Sequence, residues 1–295
     1  MRLHTFKIGG VHPEENKITA DVKTKNAALP KVAIFPLGQH IGAPAKPVVK
    51  RGDFVKVGTL IAESGGFVSA PIYSSVSGIV AKIDTSIDAT GYRKPVIIIN
   101  VEGDEWEESI DRSEKLETLD EHSELTPENI IDIIKRAGIT GMGGAGFPAF
   151  IKLCPPPTAK AECIIINGVE CEPYITADYR LMMEHAKEIL VGLDLLMKAA
   201  KVKRGYIGIE ENKPEAIKLF TQLTADDSRI EIVPLAQKYP QGGEKQLVDA
   251  VINRQVPAPP AIPVNVGAIV QNICTAYAVY QAVMKHKPLF ERYTT

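Results

Sequence analysis

The feature that most restricts how this chain can fold is the alternation in its second half, where short β-branched runs take turns with longer helix-length stretches. The runs are CIIIN from Cys163, RGYIGIE from Arg204 and RIEIVPL from Arg229. Between them lie ADYRLMMEHAKEILVGLDLLMKAA, read as one long helix, and PEAIKLFTQL; a helix from about Glu244 and another through VQNICTAYAVYQAVMKH follow. Strands separated by helices cannot pair through tight turns, so the pattern predicts a mainly parallel sheet with helices on its faces. Ligands of such sheets bind beyond the carboxyl ends of the strands. Two loops fall there: NGVECEPYITAD, with Asn167, Glu170, Glu172 and Asp178, and KYPQGGEKQ, with Tyr239, Gly242, Gly243 and Glu244.

The first hundred residues show no helical period. Their Val/Ile-rich runs KPVV, DFVKVGTLIAES, SGIVAKIDT and KPVIIINVEG are separated by Gly, Asp and Ser turns and read as strands. Residues 43 to 84 resemble the hammerhead of biotinyl and lipoyl domains, in which two half-motifs close a flattened barrel. A swinging-arm carrier needs a lysine on the hairpin between the halves, and the connection ESGGFVSAPIYSS has none. The segment is therefore expected to be a barrel-sandwich scaffold and not a carrier. From Gly103 to Thr126 acidic residues crowd against only Arg112 and Lys115, without the D-x-D-x-D-G order of a calcium loop, so a solvated linker is expected. The expected division is a barrel-sandwich domain over 1–103, an acidic linker over 104–126 and an α/β domain over 127–295.

Composition narrows the function classes. Lys and Arg number 34 against 36 Asp and Glu, a net charge of −2, which gives no basic surface for nucleic acid. No run approaches the roughly 18 apolar residues of a membrane span, and the N-terminus lacks the apolar core of a signal peptide. Cys154, Cys163, Cys171 and Cys274 form no C-x-x-C, so no metal or cluster site is expected in this chain.

GITGMGGAGFPAFIK, from Gly138, holds a G-x-G-x-x-G through Gly141, Gly143 and Gly146. A dinucleotide fingerprint must follow a strand. Here TPENIIDIIKRAG precedes it, with Ile130, Ile131, Ile133, Ile134 and Ala137 at helical spacing behind Thr126 as N-cap, Pro127 at the first helical position and Gly138 as terminator. The loop thus leaves a helix. Pro148 is placed to open the next one, with backbone amides facing an anion; a plain Gly-rich surface loop is the other reading. Carboxylates beside an amide-rich loop suit a ribityl or ribose chain, with Lys152 lending positive potential to a phosphate.

GMGGAGFPAFIK, INGVECEPYITAD, KYPQGGEKQL and VQNICT, in this order, resemble RnfC, a component of the Rnf electron-transport complex that is itself similar to the NADH-binding flavoprotein subunit of respiratory complex I. The start HTFKIGGVHPEENK and the barrel-sandwich segment fit RnfC, and the resemblance spans nearly the whole chain. It implies a Rossmann-like flavin/NADH α/β domain behind the barrel-sandwich hybrid, with FMN as cofactor and NADH as substrate. By this resemblance Gly141, Gly143, Gly144 and Lys152 contact the flavin nucleotide, and Asn167 and Glu170 lie near the ribityl chain and ring edge. Glu172 is the nicotinamide-side carboxylate and Phe147 stacks on the NADH adenine. Tyr239, Gly242 and Glu244 form the second nucleotide loop, while Asn272 and Thr275 close on the flavin phosphate. No residue is cast as general acid or base; the flavin carries the chemistry, with Lys152 as electrostatic support.

The activity implied is NADH oxidation in a membrane-associated, ion-translocating complex of NADH:ferredoxin oxidoreductase type. Its partners are integral-membrane subunits and a ferredoxin-linked iron–sulfur subunit, with this chain peripheral on the cytoplasmic face. The family carries [4Fe–4S] motifs that are missing up to FERYTT, so the sequence is expected to be a piece of a longer polypeptide, with a divergent member of the family as the alternative. Four positions depart from complex I, which has arginine at Met142, acids at Val169 and Gly243 and an aromatic at Pro155. They leave room for a second reading, a structural docking subunit of the same complex without a working nucleotide site.

Overall fold

The structure, a computed structural model, describes residues 3–122 and 124–295. In the first part the β-branched runs become β1 Val32–Pro36, β2 Lys46–Pro47, β3 Phe54–Val55, β4 Leu60–Glu63, β5 Ile72–Tyr73, β6 Gly78–Ile87 and β7 Arg93–Val101. They form two antiparallel sheets, β1-β7-β6-β3 and β2-β4-β5, which enclose Leu37, Val55, Ile61, Val80, Ile97 and Ile99. β1 lies outside the runs that read as strands in the sequence. It is an edge strand paired only to β7, where its closing proline, Pro36, is tolerated. The connection from Glu63 to Ile72 is folded down: Ser69 donates to the carbonyl of Ala43 at 2.8 Å, and a side chain on Gly65 would strike the carbonyl oxygen of Pro44.

The acidic stretch is packed, contrary to the expectation of a solvated linker. Val57 N–H donates to the carbonyl of Glu105 at 2.8 Å and its own carbonyl accepts from Glu107 N–H at 3.0 Å, Ile110 is buried, and Asp111 accepts from Lys285 at 2.7 Å. Arg112 stacks over Trp106 at 4.4 Å. Its few apolar side chains find cover on both neighbours while its charges face outward, a division that charge counting does not reveal.

The second part runs α1 Pro127–Arg136, α2 Ala149–Lys152, β8 Cys163–Gly168, α3 Ala177–Glu184, α4 Ala186–Ala199, β9 Arg204–Glu210, α5 Pro214–Leu223, β10 Ile230–Leu235, α6 Glu244–Ile252, β11 Ala268–Asn272 and α7 Ile273–Met284. The sheet order is β10-β9-β8-β11, all parallel. Strand alternation sends Ile164, Ile166, Ile207, Ile209 and Ile269 toward one helical layer, and Ile165, Val233, Leu235 and Val270 toward α6. Two expectations are corrected. The single long helix breaks at His185, with φ −137° and ψ 36°, whose ring sits between Glu188 and Tyr277. The final helix does not start at Val270: Ala268–Asn272 is a fourth strand.

That strand decides where a ligand can sit. The chain goes from β8 outward to β9 and β10, then returns to the other side of β8 as β11, so the strand order reverses between β8 and β11. The crevice outside the carboxyl ends of these two strands is the switch point of the sheet. Among the described residues, no helix is long and apolar enough to cross a membrane.

Candidate functional site at the sheet switch point

The glycine loop hangs over this crevice. Thr126 and Asn129 form a capping box that starts α1, and Gly138, at φ 70°, ends it in the left-handed conformation that glycine adopts without penalty. The loop is pinched at its base by a Gly141 N–H to Phe147 carbonyl bond of 2.8 Å and an Ala149 N–H to Ile139 carbonyl bond of 2.9 Å. It is anchored on one side where Met142 N–H donates to Thr275 Oγ1 at 3.1 Å, and on the other where Ile41 of the barrel donates to the carbonyl of Gly146 at 3.3 Å. Pro148 caps α2 rather than opening it, and α2 is only four residues long, so the loop itself must supply any anion-binding amides. A Cβ on Gly143 would lie 3.2 Å from that of Asn272, whereas one on Gly144 would meet no atom within 4 Å. The crest is bare.

Below the crest, Asn272 caps α7 by accepting from Cys274 N–H at 2.8 Å and donates Nδ2 to Asp178 at 2.7 Å. The other oxygen of Asp178 accepts from the Cys274 thiol at 2.9 Å. Asp178 and Tyr179 in turn donate their backbone N–H groups to the two oxygens of Glu170, at 2.8 and 3.3 Å. Glu170 is therefore turned into the protein, its two oxygens engaged by backbone amides at the start of α3. Burial, then the neighbouring Asp178, push its carboxyl up to about 7. Burial also raises Asp178 and holds the Cys274 thiol well above its ordinary range.

The loops that follow β8 and β10 meet directly. Asn167 Nδ2 donates to the carbonyl of Gly242 at 2.8 Å and its Oδ1 accepts from Val169 N–H at 3.2 Å, while Gly242 N–H points to Cys171 Sγ at 3.4 Å. Lys152 donates to Glu244 at 2.6 Å and to the carbonyl of Val270 at 3.0 Å. Lys152 is thus not the bare positive charge expected from the sequence. Both partners are partly exposed, and such a pair is worth about 1 kcal/mol or less, so a phosphate can displace Glu244 from it. Glu172 and Tyr239 are exposed and Phe147 is half-buried, at the rim.

Sequence reasoning gave Asp178 no role and missed Cys274 and Lys213. Buried Lys213 donates to the carbonyl of Val169 at 2.6 Å and lies 3.8 Å from buried Glu210. Nothing in the local sequence marks either residue.

The donor set fits a flavin mononucleotide. The second amide hydrogen of Asn167 suits a ribityl hydroxyl. The ammonium of Lys152 and the bare backbone at Gly143 and Gly144 suit a phosphate, and a side chain on Gly143 would fill the space above Asn272.

Residues 134–281 match the family model described as the Nuo51 FMN-binding domain, and residues 4–104 match the RnfC barrel sandwich hybrid domain. Over 99% of its length the chain is 44% identical to the RnfC-type component of the proton-translocating ferredoxin:NAD(+) oxidoreductase complex of Clostridium ljungdahlii, covering 63% of that protein. The chain belongs to the RnfC family. It is 41% identical to the corresponding component of the Na(+)-translocating ferredoxin:NAD(+) oxidoreductase complex of Acetobacterium woodii, covering 64% of it, and 39% identical to that of the ion-translocating oxidoreductase complex of Rhodobacter capsulatus, covering 56% of it. The chain therefore spans less than two thirds of the length of these RnfC relatives. The stretch matching the FMN-binding domain contains the glycine loop, both nucleotide loops, Asn272 and Thr275.

Proposed function

We propose that this chain binds FMN over the carboxyl ends of β8 and β11 and presents it to NADH, as the flavin-bearing part of an ion-translocating ferredoxin:NAD+ oxidoreductase. The observation that carries this reading is the convergence of the glycine loop, Asn167, Asn272 and Thr275 on the switch point of the sheet, inside the stretch that matches an FMN-binding domain. Such a crevice is where a Rossmann-like sheet holds its nucleotide.

The loop amides and Lys152 hold the phosphate. Asn167 holds the ribityl chain and, through Gly242, keeps the second loop in place. Glu170 and Asp178 brace the floor, linking α3 to Asn272. Glu172 orients the nicotinamide, and Phe147 and Tyr239 offer flat faces to the remainder of the dinucleotide. Bound FMN supplies the chemistry, taking two electrons from a nicotinamide and releasing them singly. The acceptors are iron–sulfur centres outside this chain, and the partners are the membrane-embedded and ferredoxin-linked subunits of the same complex, at the cytoplasmic membrane face.

Parallel titrations with FMN and riboflavin test the phosphate assignment. FMN is expected to bind at one equivalent and at least tenfold tighter than riboflavin; equal affinities would remove the phosphate from the glycine loop. A chain that binds neither flavin fits the docking-subunit reading.

A further inference from the structure

Residues 4–24 contribute no strand to the barrel and instead form a strap across the carboxyl edge of the α/β sheet. His4 pairs alongside Leu235 at the end of β10, and Val11 exchanges both backbone hydrogen bonds with Tyr239, at 2.9 and 2.8 Å. Further along, Tyr174 N–H donates to the carbonyl of Glu15 at 2.8 Å, Thr19 and Thr176 hydroxyls meet at 2.7 Å, and Arg180 donates to the carbonyl of Ala20 at 3.0 Å. The strap therefore laces the second nucleotide loop to the first.

At its centre Lys17 enters the first loop. Its ammonium donates to the carbonyl oxygens of Glu170, Glu172 and Ile175, at 2.8, 2.8 and 2.6 Å. An ammonium carries three N–H donors, and here three backbone acceptors converge on it, so the loop is wound around a tethered cation. Without that charge, three carbonyl dipoles would point their negative ends at one another. The loop also contains Glu170 at φ 52° and Tyr174 at φ 69°, conformations that side-chain-bearing residues adopt only when their surroundings enforce them.

We propose that Lys17 is the positioning residue that fixes the Glu170–Ile175 loop in the shape that receives nicotinamide, so that the N-terminal strap completes the NADH side of the site. This rests on the reading of Glu172 as the nicotinamide-side carboxylate. The glycine loop on the phosphate side is anchored through Ile41 and Thr275 rather than through the strap. The clamp thus separates the two nucleotides: it governs NADH and spares FMN.

The test compares the unsubstituted chain with Lys17→Ala and with Lys17→Met, which keeps the stem and loses the charge. Amide hydrogen exchange over residues 169–176 is followed in the FMN-free chain. FMN affinity is measured by fluorescence quenching, and NAD+ affinity by calorimetry on the FMN-loaded chain, where the oxidised flavin leaves NAD+ unchanged. Exchange over the loop is expected to accelerate at least tenfold and NAD+ to bind at least tenfold more weakly, with FMN affinity within twofold. In Lys17→Ala, methylammonium chloride should restore NAD+ affinity where sodium chloride of equal ionic strength does not. Unchanged exchange and NAD+ affinity would overturn the proposal. So would an equal loss of both nucleotides without rescue, which would make Lys17 a general structural contact. If the unsubstituted chain binds FMN but not NAD+, the nicotinamide assignment falls, while the exchange data still decide whether Lys17 holds the loop.

Discussion

Asn167 and Asn272, 105 positions apart in the sequence, are register partners at the carboxyl ends of β8 and β11. One amide ties the first nucleotide loop to the second through Gly242, and the other starts α7 and reaches Asp178. Because β8 and β11 flank the point where the strand order reverses, these two side chains border the crevice in which the sheet can hold a ligand. Asn272→Ala removes an N-cap and the partner of Asp178 together, so a loss of about 1–2 kcal/mol in stability is expected from the cap, with weakened FMN binding besides. Denaturant midpoints and an FMN titration on the same preparation check both halves.

The glycine loop separates folding from binding. Gly144 lies outside the left-handed region and faces open space, so Gly144→Val should leave the melting temperature nearly unchanged while blocking the approach of FMN. Gly143→Val, pressed against Asn272, should lose both stability and FMN. Thermal melts paired with flavin fluorescence distinguish the two; normal FMN binding by Gly144→Val would move the flavin off this loop.

The buried carboxyl of Glu170 gives a signed pH dependence. Its ordinary value of 4.5 rises to about 7 in the folded chain, so between those values the folded state holds a proton that the unfolded state has released. Its contribution to stability is complete below the lower value and is lost as pH rises through the upper one. Denaturant midpoints measured from about pH 5 to 8 should fall more for the unsubstituted chain than for Glu170→Gln, by at most roughly 3 kcal/mol. Parallel profiles would show that Glu170 is not the titrating group.

Lys213 serves the same loop from beneath. Replacing it with methionine leaves the Val169 carbonyl and the buried Glu210 carboxylate without their cation. Removing one partner of a buried pair costs about 3–5 kcal/mol, so Lys213→Met should melt well below the unsubstituted chain. Circular dichroism melts read this, and an unchanged midpoint would mean that the pair contributes nothing.

Much of the architecture was legible because each signal was local. Ile164, Ile165 and Ile166 sit in a β-branched run closed by Asn167 and Gly168, and Thr126, Pro127 and Gly138 bracket α1 with start and stop residues. β11 was hidden because Ala268–Asn272 runs straight into α7, ten of whose twelve residues are buried. With no polar face, nothing marks where one period replaces the other. The order of the glycine, glutamate and asparagine motifs located the candidate site. The direction of a side chain did not follow from its type: Glu170 and Glu172 are two residues apart, yet one caps α3 from within and the other is exposed. The strap from His4 to Thr24 had no periodicity to read, since its bonds are to distant loops.

The central claim is tested most directly by anaerobic stopped-flow reduction of the FMN-loaded chain with NADH, run beside Glu172→Gln. Rapid bleaching of the flavin absorbance is expected in the unsubstituted chain. In the variant the loss of one charge-assisted hydrogen bond, worth roughly 1.5–3 kcal/mol, should slow it about ten- to a hundredfold at unchanged FMN affinity. A chain that binds FMN stoichiometrically but is not bleached by NADH, or a Glu172→Gln variant that loses FMN itself, would contradict the account.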